Sequence, residues 1–326
     1  MVRDFTWLSD ASKQSEAVIS EPWALQGLQD SVEPAQILQD GSIIFLSEGK
    51  LQNWESGRHQ WSYSPNSLDY ASIIDIDKSA SHNDYIYILT SQGSFFETSS
   101  LNVIRLSMDG DELSISEPFN GGELFSRGSL ATNQDIVFVT GTNYSHNSDS
   151  SIASIYAFDY QGLPLFERKI ENVEIREIES RNDGIIIAGN RIVEYSNNDE
   201  DTNNSPYISF LNNQGNITWE LDIVLPSWKD WNPASNYNDS GLINAVTVDN
   251  SGNIYVAGLR EVESNSDDES TNIFVAKVSA DGELEWSVNY DETSYWVNSI
   301  NTLGQGLVIS GGVDSAPGEN YQEDDF

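Results

Sequence analysis

A glycine followed four positions later by a large aromatic residue recurs along this chain. The pairs are Gly57/Trp61, Gly162/Phe166, Gly215/Trp219 and Gly282/Trp286, with Gly110/Ser114 as a degraded copy. The positions 61, 114, 166, 219 and 286 keep a spacing near 53 residues until the last, longer interval. A second marker follows the same period. Short apolar runs stand at Ile43–Leu46, Tyr85–Leu89, Ile136–Val139, Ile185–Ala188, Ile254–Ala257 and Leu307–Ile309, and the last four run into Gly141, Gly189, Gly258 and Gly311. Self-similarity at a fixed period of this length restricts a chain to stacked or radially arranged units, because one unit cannot bury its apolar faces alone.

The fullest copy, Asn244 to Trp286, shows what one unit contains. Ala245–Val248 and Ile254–Gly258 flank the turn Asp249-Asn250-Ser251-Gly252-Asn253, and Ile273–Val278 and Leu284–Val288 flank Ala280-Asp281-Gly282. β-Branched and aromatic runs bounded by such turn residues predict a four-stranded antiparallel meander. Six inner runs then predict an all-β fold, a six-bladed β-propeller in a single domain over residues 1–326. The blades are expected at 35–63, 71–119, 128–170, 173–223, 242–290 and 296–326.

The last blade lacks its outer hairpin. Leu8-Ser9 leading to Ile19-Ser20-Glu21-Pro22-Trp23 parallels Leu106-Ser107 leading to Ile115-Ser116-Glu117-Pro118-Phe119 in the second blade. Residues 1–23 are therefore expected to supply the closing strands, the alternative being a fragment cut within a blade.

The words Asp-x-x-Gly-Asn-Ile-Tyr-Val-Ala-Gly from Asp249, Phe-Val-Ala-Lys-Val from Phe274 and Asp-Gly-x-Leu-x-Trp from Asp281 resemble the SBBP-type β-propeller repeat of bacterial proteins. They are also similar to the looser PQQ-like propeller repeat. The resemblance implies a propeller used as a binding or structural module in exported proteins, and it brings no catalytic residues with it.

Charge narrows the partners. With 52 acidic against 15 basic side chains the net charge is −37, a field that repels nucleic-acid phosphates and anionic lipid and attracts divalent cations. No apolar run approaches the ~18–20 residues of a membrane span, and Met1 to Thr6 has no apolar signal core. Zero cysteines remove disulfides and thiolate metal sites. This composition points to an extracellular or cell-surface protein, exported without a signal peptide or with its signal outside this sequence, the alternative being a cytoplasmic protein of a halophilic or marine cell.

Motifs for known chemistry are missing. His59, His82 and His146 are not at metal-ligand spacing, no Gly-x-Ser-x-Gly elbow occurs, and Gly304-Gln305-Gly306 leads into a strand where a nucleotide fingerprint would open a helix. In the Gly-to-Trp turns the two residues are four apart, where the sialidase Asp box needs three, so Trp61, Trp219 and Trp286 are read as packing residues.

The candidate sites follow from blade topology. In a four-stranded blade, the loop between second and third strands emerges on the same side as the connection to the next blade. The acidic inserts 194–201, 261–269 and 319–325 are of the first kind, with Asp267, Asp268, Asp324 and Asp325 as candidate Ca²⁺ ligands on loops able to supply six to eight oxygens. The aromatic stretches holding Trp228, Trp231, Tyr237, Tyr295 and Trp296 are of the second kind and offer flat platforms to a sugar. Asp75, alternating with Ile74 and Ile76 on an innermost strand, is a further candidate ion ligand, whereas Asp77 is expected to cap a turn as Asp249 does. The expected function is a non-enzymatic module binding a glycan or protein, monomeric or part of a larger chain, with Ca²⁺ as an optional aid and no cofactor required. The alternative is a polysaccharide hydrolase or lyase using a carboxylate pair such as Asp291 and Glu292, held the ~5–9.5 Å apart that glycosidic cleavage needs.

Overall fold

Runs such as Tyr85–Leu89 are apolar at successive positions, so a strand built from them must bury both of its faces. The computed structural model shows how. It describes residues 6–9, 35–37, 42–47, 49–65, 71–78, 85–92, 100–116, 119–120, 125–133, 136–145, 150–194, 202–223, 241–262, 270–290, 295–303 and 306–313.

Among the described residues all regular structure is β. After β1 (Thr6–Ser9), sheet 1 is the meander β2 (Ala35–Ile37), β3 (Ile43–Ser47), β4 (Lys50–Glu55), β5 (Arg58–Tyr63). Sheet 2 runs β6 (Ala71–Lys78), β7 (Tyr85–Gln92), β8 (Ser100–Ser107), with β9 (Glu112–Ile115) and the short β10 (Phe119–Asn120) both pairing with β8. Sheet 3 is β11 (Phe125–Asn133), β12 (Ile136–Ser145), β13 (Ser150–Asp159), β14 (Pro164–Glu171). Sheet 4 is β15 (Val173–Arg181), β16 (Gly184–Glu194), β17 (Thr202–Asn212), β18 (Ile217–Asp222). Sheet 5 is β19 (Gly241–Val248), β20 (Ile254–Val262), β21 (Ser270–Val278), β22 (Leu284–Tyr290). Sheet 6 joins β23 (Tyr295–Leu303) and β24 (Gly306–Val313) to β1, whose Thr6–Ser9 pair antiparallel with Ile309–Gly306. The N-terminal segment thus supplies a third strand to the last sheet, while residues 10–23 lie outside the described ones.

The chain divides into two compact units. One holds residues 20–192 and 207–221, the other 1–19, 193–206 and 222–326. Within the first, the core is a series of layers between consecutive sheets. Ile86, Ile88, Ile104 and Leu106 of sheet 2 pack with Ile44 and Leu51 of sheet 1, while the alternate residues Tyr87, Leu89, Leu101 and Val103 pack with Val137 and Val139 of sheet 3. Phe138, Ile155 and Ala157 on the far side of sheet 3 meet Ile175, Ile187 and Tyr207 of sheet 4. In the second unit Ala245, Ala257 and Val275 of sheet 5 pack with Val297, Ile300 and Leu307 of sheet 6. Outer strands have one wet face, so β18 alternates between partly covered and exposed residues along its length.

Two local devices repeat from sheet to sheet. The outer hairpins turn at Ser107–Gly110, Asp159–Gly162, Asn212–Gly215 and Ser279–Gly282, where each glycine N–H donates to the carbonyl three residues earlier. The side chain that opens the turn caps it, as when Asp159 Oδ1 accepts from the N–H of Gln161 and of Leu163, both at 2.9 Å. The second device is a β-bulge in the innermost strand. Register shifts by one residue between Ile73 and Asp75, Ile175 and Glu177, Ile243 and Ala245, and Val297 and Ser299. A bulge raises local twist and re-aims the side chains that follow it.

Candidate functional site

The innermost strands of sheets 2, 3 and 4 bring three carboxylates into one neighbourhood within the first unit. Asp75 follows the bulge of β6, so its side chain turns toward β11. Its Oδ1 accepts from the Ile76 N–H at 2.8 Å, and its Oδ2 accepts from the Leu130 N–H at 2.6 Å and from Ser129 Oγ at 3.1 Å. Ser129 Oγ in turn accepts from the N–H of Ile178 on β15 at 3.2 Å, which links three consecutive sheets. Two residues along β6, Asp77 accepts the Thr132 N–H at 2.6 Å.

The expected turn cap at Asp77 is therefore corrected. β6 continues through Lys78, with Asp77 paired opposite Tyr87 inside the strand, so its carboxylate reaches the neighbouring sheet. The capping role belongs to Asp249, whose Oδ1 accepts from Ser251 and Asn253 N–H at 2.8 and 2.9 Å.

The third acid, Glu179 on β15, lies beside this pair. Asp75 and Glu179 keep partial solvent contact yet stand deep among protein atoms. Burial pushes the Asp75 carboxyl up to about 7, against the opposing pull of the Leu130 and Ile76 N–H groups. Burial, helped by the negative charges of Asp77 and Asp75, pushes Glu179 up to about 8 against the opposing pull of a hydrogen bond from the Ser180 N–H. The difference is one of donors. Asp75 has three hydrogen bonds favouring its ionised form, so Glu179 takes up a proton first.

Of the candidate ligand-binding and ion-binding residues read from the sequence, Asp75 is the one whose side chain falls among the described residues. Its oxygens hold sheet 2 to sheet 3, and among the described residues no group of three His, Asp or Glu side chains is placed to share a cation. Trp228, Trp231, Tyr237, Asp267, Asp268, Asp291, Glu292, Asp324 and Asp325 lie outside the described residues. Tyr295 and Trp296 open β23, paired opposite Val313 and Gly312.

Connectivity fixes which sheet ends those segments join. Residues 263–269 follow β20, and residues 224–240 lead into β19, whose Gly241 pairs with Arg260 near the end of β20. The acidic insert and the Trp228/Trp231/Tyr237 segment therefore attach to the same end of sheet 5. In sheet 6 the register Tyr295↔Val313 attaches the aromatic pair where the chain continues into the acidic residues 314–326.

Glu179 is hidden in the sequence because it is one of several acids in Val173-Glu174-Ile175-Arg176-Glu177-Ile178-Glu179. The bulge is the missing signal. Counted from it, Glu179 stands where Asp77 stands in β6.

No protein-family model matches the chain, and no curated protein matches it in sequence. In structure it is similar to an α-L-arabinanase of Penicillium chrysogenum solved with arabinobiose, at 13% identity over 77% of this chain and 78% of that one, TM-score 0.50. It is also similar to a Synechocystis apocarotenoid oxygenase variant, at 10% identity over 83% of this chain and 62% of that one, TM-score 0.50. The extracellular domain of a one-component system of B. thetaiotaomicron aligns at 12% identity over 86% of this chain and 30% of that one, TM-score 0.49. The chain spans about three fifths of the oxygenase it resembles. At 13% and 10% identity the likeness to the arabinanase and the oxygenase concerns fold alone, and it supports a propeller-type, all-antiparallel β architecture. Among the described residues no helix is long and apolar enough to cross a membrane.

Proposed function

We propose that the chain is a non-enzymatic interaction module of the SBBP-repeat kind, a six-bladed propeller closed by its N-terminal strands. It binds a glycan or protein partner through one acidic-aromatic face, with Ca²⁺ assisting, outside the cell or at its surface. The observation that supports this most is the attachment of acidic and aromatic segments to the same end of sheet 5, repeated in sheet 6. The inner acids fit a scaffold, since Asp75 and Asp77 engage backbone N–H groups of the next sheet.

Binding is tested by affinity electrophoresis of the whole chain against a polysaccharide panel in millimolar Ca²⁺ and in EDTA. A retarded band is expected, weakened about tenfold or more in a Trp228→Ala/Trp231→Ala double variant. The unfolding midpoint is expected to rise by about 5 °C in Ca²⁺ over EDTA and not in Mg²⁺, since a ligand at 100 times its Kd contributes about 2.7 kcal/mol. Equal midpoints in both metals would remove Ca²⁺ from the proposal, and mobility unchanged across the panel would remove the glycan.

A hydrolase or lyase is the second reading, favoured by one observation. Glycosidic cleavage needs an acid that holds its proton near neutral pH, and Glu179 does so. Release of reducing ends by the chain, lost in Glu179→Gln, would replace the binding reading.

A further inference from the structure

Where sheets 1 and 2 meet, an aromatic side chain of one lies on the outer turn of the other. A Cβ on Gly110 would stand 2.7 Å from Trp61 Cδ2, and the Trp61 indole N–H donates to the Met108 carbonyl at 2.8 Å. Sheets 3 and 4 repeat the contact with Phe166, 2.9 Å from a Cβ built on Gly215. Between sheets 2 and 3 the matching pair is Ser114 and Gly162, and there nothing among the described residues comes within 4 Å of the added Cβ.

The unfilled place is a cavity of about 160 Å³ lined by Ser114, Gly162, Tyr87, Phe158, Tyr160 and Arg105. The carbonyl that corresponds to Met108, two residues before the turn glycine, is that of Tyr160. It accepts from Arg105 Nη1 at 2.7 Å, so a guanidinium now stands where the indole N–H would be. Arg105 also lies over the Tyr85 ring at 4.9 Å, has a buried Nε–H without an acceptor, and pairs with no carboxylate among the described residues. Asp159, also at the cavity, has Oδ1 engaged by its own turn.

We propose that this slot binds a small aromatic acid, its single ring seated where Trp61 and Phe166 sit at the junctions of sheets 1 and 2 and of sheets 3 and 4, and its carboxylate turned to Arg105. A cavity of about 150 Å³ has room for a benzene ring, here with Tyr87, Phe158 and Val137 as its apolar wall, and a planar guanidinium is suited to a carboxylate. The site is separate from the acidic-aromatic face and does not depend on it.

The test is a titration of the whole chain with benzoate, and with benzamide as its uncharged counterpart, read by ligand-observed NMR. Saturable benzoate binding is expected, weakened about tenfold or more in Arg105→Gln while benzamide is little changed. Ser114→Trp is expected to fill the slot as Trp61 does, raising the unfolding midpoint and abolishing binding of both probes. Absence of saturable benzoate binding to the unaltered chain would overturn the proposal. So would benzoate binding that Arg105→Gln leaves unchanged, or that survives in a folded Ser114→Trp variant.

Discussion

Gly258→Ala is expected to lower the stability of the chain by about 3 kcal/mol or more, toward the upper end of overpacking costs. The added methyl would stand 1.9 Å from the Leu242 carbonyl oxygen and 2.8 Å from the Phe274 ring. Neither neighbour can yield. Leu242 is held in the β19–β20 ladder, and Phe274 is fully buried. The clash belongs to the bulge, because Gly258 pairs with Ile243, the last residue in register before the shift to Ala245↔Ala257. Gly189 pairs with Ile175 in the same way, and its Cβ would fall 2.0 Å from the Glu174 carbonyl. Gly162→Ala is the control. It carries a φ of +86° but open space, so only the ~1–2 kcal/mol of a left-handed alanine is expected. Urea midpoints of the two variants decide the matter. If Gly258→Ala costs no more than Gly162→Ala, the bulge does not account for the repeated glycine.

The same glycines show how far sequence carries. That apolar runs end in Gly141, Gly189, Gly258 and Gly311, at intervals of 48, 69 and 53 residues, is visible as a marker of repetition, since repeated geometry demands repeated residues. Its cause is not visible, because the oxygen that excludes a side chain comes from a neighbouring strand bulged by one residue. The outer-turn glycines are legible more directly, as a positive φ is a local property: Gly110, Gly162, Gly215 and Gly282 have φ of 84, 86, 80 and 87°. Strand order follows from the runs and turns, and the pairing of Leu8-Ser9 with Leu307 and Gly306 follows from likeness to Leu106-Ser107. The acidic centre does not follow. Asp75 stands out by alternation, but its partners Leu130 and Ser129 are more than 50 residues away, and Glu179 more than 100. Ser114 is legible only as a broken copy of the aromatic position. That the break leaves a cavity beside an arginine depends on Tyr160 and Gly162 of the next sheet.

Glu179→Gln and Asp75→Asn are expected to move stability in opposite directions, although each exchanges a carboxylate for an amide of the same shape. Glu179 has its affinity for a proton raised to about 8 in the folded chain, against 4.5 for an ordinary glutamate. Between these values the unfolded chain is ionised while the folded chain holds the proton. Stability contributed by the protonated form is therefore complete below about pH 4.5 and lost as pH rises through 8. Asp75, raised from 3.8 to about 7, adds a loss of the same sign over a lower window. A tenfold change in proton affinity corresponds to about 1.4 kcal/mol, so the unaltered chain is expected to lose several kcal/mol between about pH 5 and pH 9. Exposed carboxylates finish titrating near pH 6 and so add nothing to the loss above it. Glutamine at 179 keeps an oxygen for the Ser180 N–H and carries no charge, so it is expected to be more stable than the parent by about 2 kcal/mol at pH 8.5 and little different at pH 5. Asparagine at 75 fails for a geometric reason. Both oxygens of Asp75 accept hydrogen bonds, so one donor must meet the amide NH₂, and a loss of about 2 kcal/mol is expected. Urea midpoints at pH 5, 7 and 8.5 check both outcomes. A Glu179→Gln chain that loses stability with pH as steeply as the parent would show that Glu179 does not hold its proton in the folded chain. A stabilised Asp75→Asn chain would show that its hydrogen bonds do not hold sheet 2 to sheet 3.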